Sequence, residues 1–143
     1  MDNPWREIEA IWQGEGIFIG QNPKGGSVQM GSKEGKPGIS PMELLLVGVA
    51  GCTGMDVASI LTKKRQPLAD LTVRVRGRMI EEFPRVFDLI EIEYLLWGEG
   101  IDPTAVEQAI HLSEDKYCSA SAMLKASAEV RWTYRILQPG DVV

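Results

Sequence analysis

Two cysteines, Cys52 and Cys118, are the residues best suited to carry chemistry in this sequence. A cysteine thiolate attacks a peroxide and becomes a sulfenic acid, which a second thiol traps as a disulfide. Those steps need two cysteines whose Cα atoms can approach within roughly 7 Å. They also need a cation or hydrogen-bond donor that favours the thiolate. The plainer alternative makes Cys52 a small hydrophobe in a core, which is what most buried cysteines are. Residue types alone leave both readings open. Two cysteines in a chain of 143 residues do not make a disulfide scaffold.

The other candidates are weaker. His111 is the only histidine and falls on a short polar helix, so it reads as a surface residue. Cys52, Cys118 and His111 lack the tight pair spacing of a zinc site, and neither a metal nor a cofactor is expected. Asp56 follows Cys52 by one turn. A carboxylate there would raise the thiol pKa, so Asp56 is expected to face solvent or cap a neighbour. Glu114 and Asp115 read as first-turn charges of a helix that begins near Ser113. Trp5, Trp12, Trp97 and Trp132 read as packing residues.

The elements that must position the cysteines follow from periodicity and turn chemistry. Three short strands are expected near Trp5–Trp12, Gly16–Gly20 and Ser27–Met30, with a turn at Asn22–Gly26 between the second and third. Residues 31–38 are rich in Gly, Lys, Ser and Pro and read as a loop. Ser40-Pro41-Met42-Glu43 then announces a helix: Ser40 caps, Pro41 suits the first helical position, and Glu43 completes a capping box. The helix runs to about Arg65 and is apolar on nearly all sides through Met55, the signature of a buried helix. It contains Gly48, Gly51 and Gly54, each costing about 1 kcal/mol against alanine. Gly51, Gly54 and Ala58 share a face and would let a second helix approach closely. The helix of a second copy of the chain is the expected partner.

A hairpin over residues 70–97 follows. Leu71, Val73, Val75 and Gly77 alternate with arginines, and Ile90, Ile92, Tyr94 and Leu96 alternate with Glu91 and Glu93, so arginines can face glutamates across the strands. Asp102 caps a short helix from Pro103 to about Leu112. A break at Ser113 leads through Cys118 to a last helical stretch ending near Lys125. Alternation from Ala128 to Ile136 gives a final strand within residues 127–137. Segregated strands and helices favour a single α+β domain with antiparallel sheets.

Composition bounds the function. The hydrophobic fraction is 44%, enough for a core, and the net charge is −5. An acidic chain offers no basic field to nucleic acid. The N-terminal residues are charged and lack the apolar stretch of a signal peptide. The uncharged run Leu44–Met55 is shorter than the roughly 20 residues that cross a bilayer. These features point to a cytoplasmic protein with no nucleic-acid or membrane partner.

Two motifs carry a resemblance. Ser40-Pro41-Met42-Glu43-Leu44-Leu45, continuing through Ala50-Gly51-Cys52 and Met55-Asp56-Val57, resembles the central-helix signature of the OsmC/Ohr superfamily. Leu112-Ser113-Glu114-Asp115-Lys116-Tyr117-Cys118-Ser119 resembles its second-cysteine segment, and both are most similar to a YhfA-like branch. The resemblance spans nearly the whole chain, including the order of elements. It implies an intertwined homodimer with two six-stranded antiparallel sheets around paired central helices. It also implies thiol-dependent reduction of organic hydroperoxides at the dimer interface. Cys52 would then attack, Cys118 would resolve, Glu43 would be the site carboxylate, and a dithiol would recycle the disulfide.

The sequence departs from that pattern in two places. The family carboxylate directly follows the helix-start proline, where this chain has Met42, with Glu43 one position later. One position turns a helical side chain by about 100°, which leaves capping as the competing role for Glu43. The family arginine that steadies the thiolate has no counterpart between Trp12 and Leu61, where Lys24, Lys33 and Lys36 are the cations before the helix. A dimeric module that binds a small apolar or thiol ligand without catalysis is the alternative, and an inert structural protein the third.

Overall fold

The computed structural model describes residues 3–143; Met1 and Asp2, which open the charged N-terminal segment, lie outside them. The chain forms two compact units, Met1–Leu44 and Leu45–Val143.

The first unit holds β1 (Glu9–Gly14), β2 (Ile17–Gln21) and β3 (Ser27–Met30) in one antiparallel sheet of order β1-β2-β3. β1 starts later than alternation suggested, and Trp5 and Ile8 lie outside any strand and exposed. The turn after β2 forms as expected, with Gly25 N donating to Asn22 O at 3.1 Å. Glycine is required at Gly31, where φ is +82° and a Cβ would run into the carbonyl of Gly16.

The helix α1 runs from Pro41 to Lys63. Its capping box closes as read: Ser40 Oγ accepts from Glu43 N at 3.1 Å, and Glu43 Oε1 accepts from Ser40 N at 2.9 Å. On length and apolar content this helix could cross a membrane. Within the second unit, however, it lays one stripe, Val49, Thr53, Val57 and Leu61, against the chain's own interior, as a core helix does. The opposite stripe, Val47, Gly51 and Met55, is exposed.

The second unit's sheet has the order β4-β5-β6, from β4 (Asp70–Met79), β5 (Phe87–Trp97) and β6 (Glu129–Leu137). One face carries Val73, Tyr94 and Tyr134 in register under α1 and α2 (Pro103–Leu112). The other face is charged: Arg76 Nε donates to Glu91 Oε1 at 2.6 Å, and Arg78 grips Asp88 with two bonds. Asp102 caps α2 by accepting from Thr104 N at 3.0 Å.

The α+β class stands, with two corrections in detail. β5 and β6 pair in parallel, not antiparallel. The two helices between them carry the chain back to the starting end of β5, a crossover that parallel pairing demands. A period of two reveals a strand and not its direction. The glycine strip also divides. A Cβ at Gly54 would meet Val73 Cγ2 at 3.3 Å, so Gly54 faces β4, while a Cβ at Gly48 or Gly51 would meet nothing within 4 Å.

Candidate thiol site

Cys52 sits halfway along α1, next to the buried Thr53, and is partly exposed; Cys118 is buried, and both are free. A π-helical turn, Ser113–Tyr117, follows α2 directly and ends at Cys118, which caps the short helix α3 (Ser119–Leu124). The capping atom is the thiol itself: Cys118 Sγ accepts from Ser121 N at 3.4 Å. The wide turn replaces the simple break read at Ser113.

The two thiols are neighbours. Burial pushes the Cys118 thiol above its ordinary value; the Ser121 hydroxyl and amide pull it back, and a hydrogen bond and charge from Cys52 raise it again. Burial first, and the neighbouring Cys52 with it, therefore favour the form in which Cys118 keeps its proton.

Around the thiols runs a row of buried polar groups. Thr53 Oγ1 lies 2.7 Å from Tyr94 Oη and 2.8 Å from Ser113 Oγ. Ser113 Oγ donates to Asp56 Oδ2 at 2.9 Å. Tyr94 Oη and Ser121 Oγ both donate to Glu114 Oε1, at 3.4 and 3.3 Å. Burial, opposed by the bond to Thr53, pushes the Tyr94 phenol well above its ordinary value. Glu114 is only 6% exposed, and its Oε2 is buried without a hydrogen-bond partner, 3.8 Å from Lys125 Nζ. Lys125 spends its own bond on the Glu114 carbonyl, at 2.7 Å.

The π-turn opens at Ser113 with Glu114 and Asp115 in its first turn, as expected, and Glu114 is buried there. Asp56 does serve a neighbour, Ser113. Thr53, Ser113, Tyr94, Glu114 and Ser121 were missed, since each is an ordinary residue type until the fold joins them. The one available signal was Thr53, polar on an otherwise apolar stripe. Glu43 spends one carboxylate oxygen on the helix start, and its bonds from Ser40 hold its pKa below the usual value. His111 stacks edge-on against Trp132 and approaches Asp115 at 3.6 Å. Among the described residues no group of three His, Cys, Asp or Glu is set to hold a metal.

A model of the family described as "OsmC-like protein" matches residues 32–133. The chain belongs to the OsmC-like family. Protein YhfA of Escherichia coli strain K12 is 35% identical over 86% of this chain and 92% of its own length. A crystal structure of a hypothetical protein from Aquifex aeolicus superposes with a TM-score of 0.81 at 36% identity, covering 94% of this OsmC-like chain and 98% of the other. The organic hydroperoxide resistance protein OhrB of Bacillus subtilis shares the fold at a TM-score of 0.62 and 13% identity, covering 92% and 98%.

Proposed function

We propose that this OsmC-like protein reduces organic hydroperoxides with its cysteine pair. The observation that carries the reading is a pair of free cysteines, Cys52 partly exposed on α1 and Cys118 buried at the head of α3, near enough for Cys52 to raise the Cys118 pKa. Cys52 attacks the peroxide oxygen; the O–O bond breaks, the alcohol leaves, and Cys52 becomes a sulfenic acid. Cys118 then attacks Cys52, forming a disulfide and releasing water. A dithiol reductant returns both thiols. The S–H of Cys118 takes the place of the absent arginine as the donor beside Cys52. Glu43 serves the site only through the helix start that it caps.

The protein works as a homodimer in this reading, because the outer stripe of α1 is apolar and uncovered in the single chain. The hydroperoxide resistance named for the Bacillus subtilis neighbour is consistent with the same chemistry. The test is turnover of an organic hydroperoxide with a dithiol, followed by mass spectrometry. One Cys52–Cys118 disulfide and no turnover by Cys52→Ser are expected. Both thiols free after full exposure to peroxide would overturn the reading. The missing arginine favours a second reading, a ligand-binding dimer without catalysis. Cys52→Ser would then keep its affinity for a small apolar or thiol ligand.

A further inference from the structure

We propose that Ser121, Glu114, Tyr94, Thr53, Ser113 and Asp56 form a proton relay that takes the proton from Cys118 when its sulfur attacks Cys52. The proposal rests on the thiol-pair reading and goes beyond it, since it assigns the base for the second step.

The row Ser121–Glu114–Tyr94–Thr53–Ser113–Asp56 has five hydrogen-bonded links and four hydroxyls. Four hydroxyls supply four hydrogens. With both carboxylates ionised, one link is left without a hydrogen, and turning the hydroxyls moves that position along the row. The longest link, Tyr94 to Glu114 at 3.4 Å, sits beside the thiols. A fifth proton completes the row.

Cys118 is the donor within reach. Ser121 reaches both groups: its N–H donates to the Cys118 sulfur at 3.4 Å and its hydroxyl to Glu114 Oε1 at 3.3 Å. It can take the thiol proton on its oxygen while passing its own hydrogen to Glu114. Tyr94 then turns its hydrogen from Glu114 to Thr53, Thr53 turns toward Ser113, and Ser113 keeps its bond to Asp56. Thr53, Ser113, Ser121 and Tyr94 are all fully buried, so water does not compete for these hydrogens. Asp56 is partly exposed and gives the proton its exit. The charged and titratable groups facing Glu114 are Lys125 from beyond α3, Tyr94 from β5, and Cys118 at the head of α3. Lys125 offsets the charge of Glu114 without occupying Oε2.

The resolving step balances as follows. The sulfur–sulfur bond forms and the sulfur–oxygen bond of the Cys52 sulfenic acid breaks. The leaving hydroxide takes one proton from solvent, and the relay releases one at Asp56. The sum is one disulfide and one water.

A mixed disulfide isolates this step from peroxide chemistry. Dithiobis(nitrobenzoate) loads the partly exposed Cys52, and Cys118 then displaces nitrothiobenzoate, a leaving group that needs no proton. The release rate is measured against pH in the intact protein. Glu114→Gln should release at least about tenfold more slowly near neutrality, with a rate that climbs with hydroxide. A fixed negative charge at Glu114 would act oppositely, hindering thiolate formation, so its removal would speed release. Unchanged or faster release by Glu114→Gln overturns the relay. Should that variant not fold, Thr53→Val and Thr53→Ser decide. Valine keeps the packing and cuts the row, so release should slow; serine loses a methyl and keeps the row, so release should be near normal. The reverse order overturns the relay. Normal hydroperoxide turnover with release unslowed in the variants removes the relay and leaves the proposed function. Slowed release without hydroperoxide turnover does the opposite. No release from the unaltered protein removes both.

Discussion

Cys118 and Tyr94 are each held protonated by burial, and that choice couples stability to pH. Both folded-state pKa values lie above the unfolded ones. The stabilisation is complete below the unfolded values, near 9 for cysteine and 10 for tyrosine, and is lost as pH rises through the folded values. Urea midpoints should therefore fall as pH climbs above about 9. In Cys118→Ser the decline should start later, near the unfolded tyrosine value of about 10. A midpoint unchanged to strongly alkaline pH would show that neither group is kept protonated by folding. Thr53 offers a second measurement at this scale. Thr53→Val leaves the hydroxyls of Tyr94 and Ser113 each short of a partner, which should cost about 1–3 kcal/mol in denaturant unfolding.

At the scale of elements, helix starts and close approaches decide the local geometry. Ser40→Ala removes the acceptor for Glu43 N and should cost about 1 kcal/mol, read by thermal unfolding. Gly98 follows β5, and a Cβ there would collide with the carbonyl oxygen of Pro67 and the side chain of Ile101. Gly98→Ala should cost roughly 1–3 kcal/mol, the range of an overpacked site. The π-turn has a functional consequence at the same scale. It inserts one wide turn between α2 and α3, which brings Glu114 inside and leaves Cys118 at a helix cap. α1 supplies the opposing surface through Cys52 and Thr53.

For the whole molecule, the exposed stripe of α1 makes a prediction about assembly. Met55 is 76% exposed and Val47 50%. In a lone chain Met55→Glu would be a surface change within about 0.5 kcal/mol of neutral. In the proposed homodimer it places a charge between paired helices. Sedimentation should show a dimer for the unaltered chain and a monomer for Met55→Glu. Gly51→Ala sharpens the test, since among the described residues no atom beyond the helix's own nearby backbone lies within 4 Å of its added Cβ. A lone helix should gain up to about 1 kcal/mol from that change, whereas close-packed paired helices should weaken. A monomeric unaltered protein would remove the dimer and the interfacial site with it.

Local patterns along the chain were enough to place the elements and to single out the two cysteines. Ser40, Pro41 and Glu43 marked the start of α1, Asp102 and Pro103 that of α2, and alternation located β4, β5 and β6, because caps and periods are local properties of the chain. Cys52 and Cys118 stood out because no other residue pair offered a nucleophile and a trap. Tertiary structure alone decided that β6 runs parallel to β5, that Gly54 faces β4, and that Glu114 turns inward. It alone assembled Thr53, Tyr94, Ser113 and Ser121 around the thiols. Strand direction, helix rotation and buried hydrogen bonds between distant residues depend on which surfaces meet, and no local pattern records that.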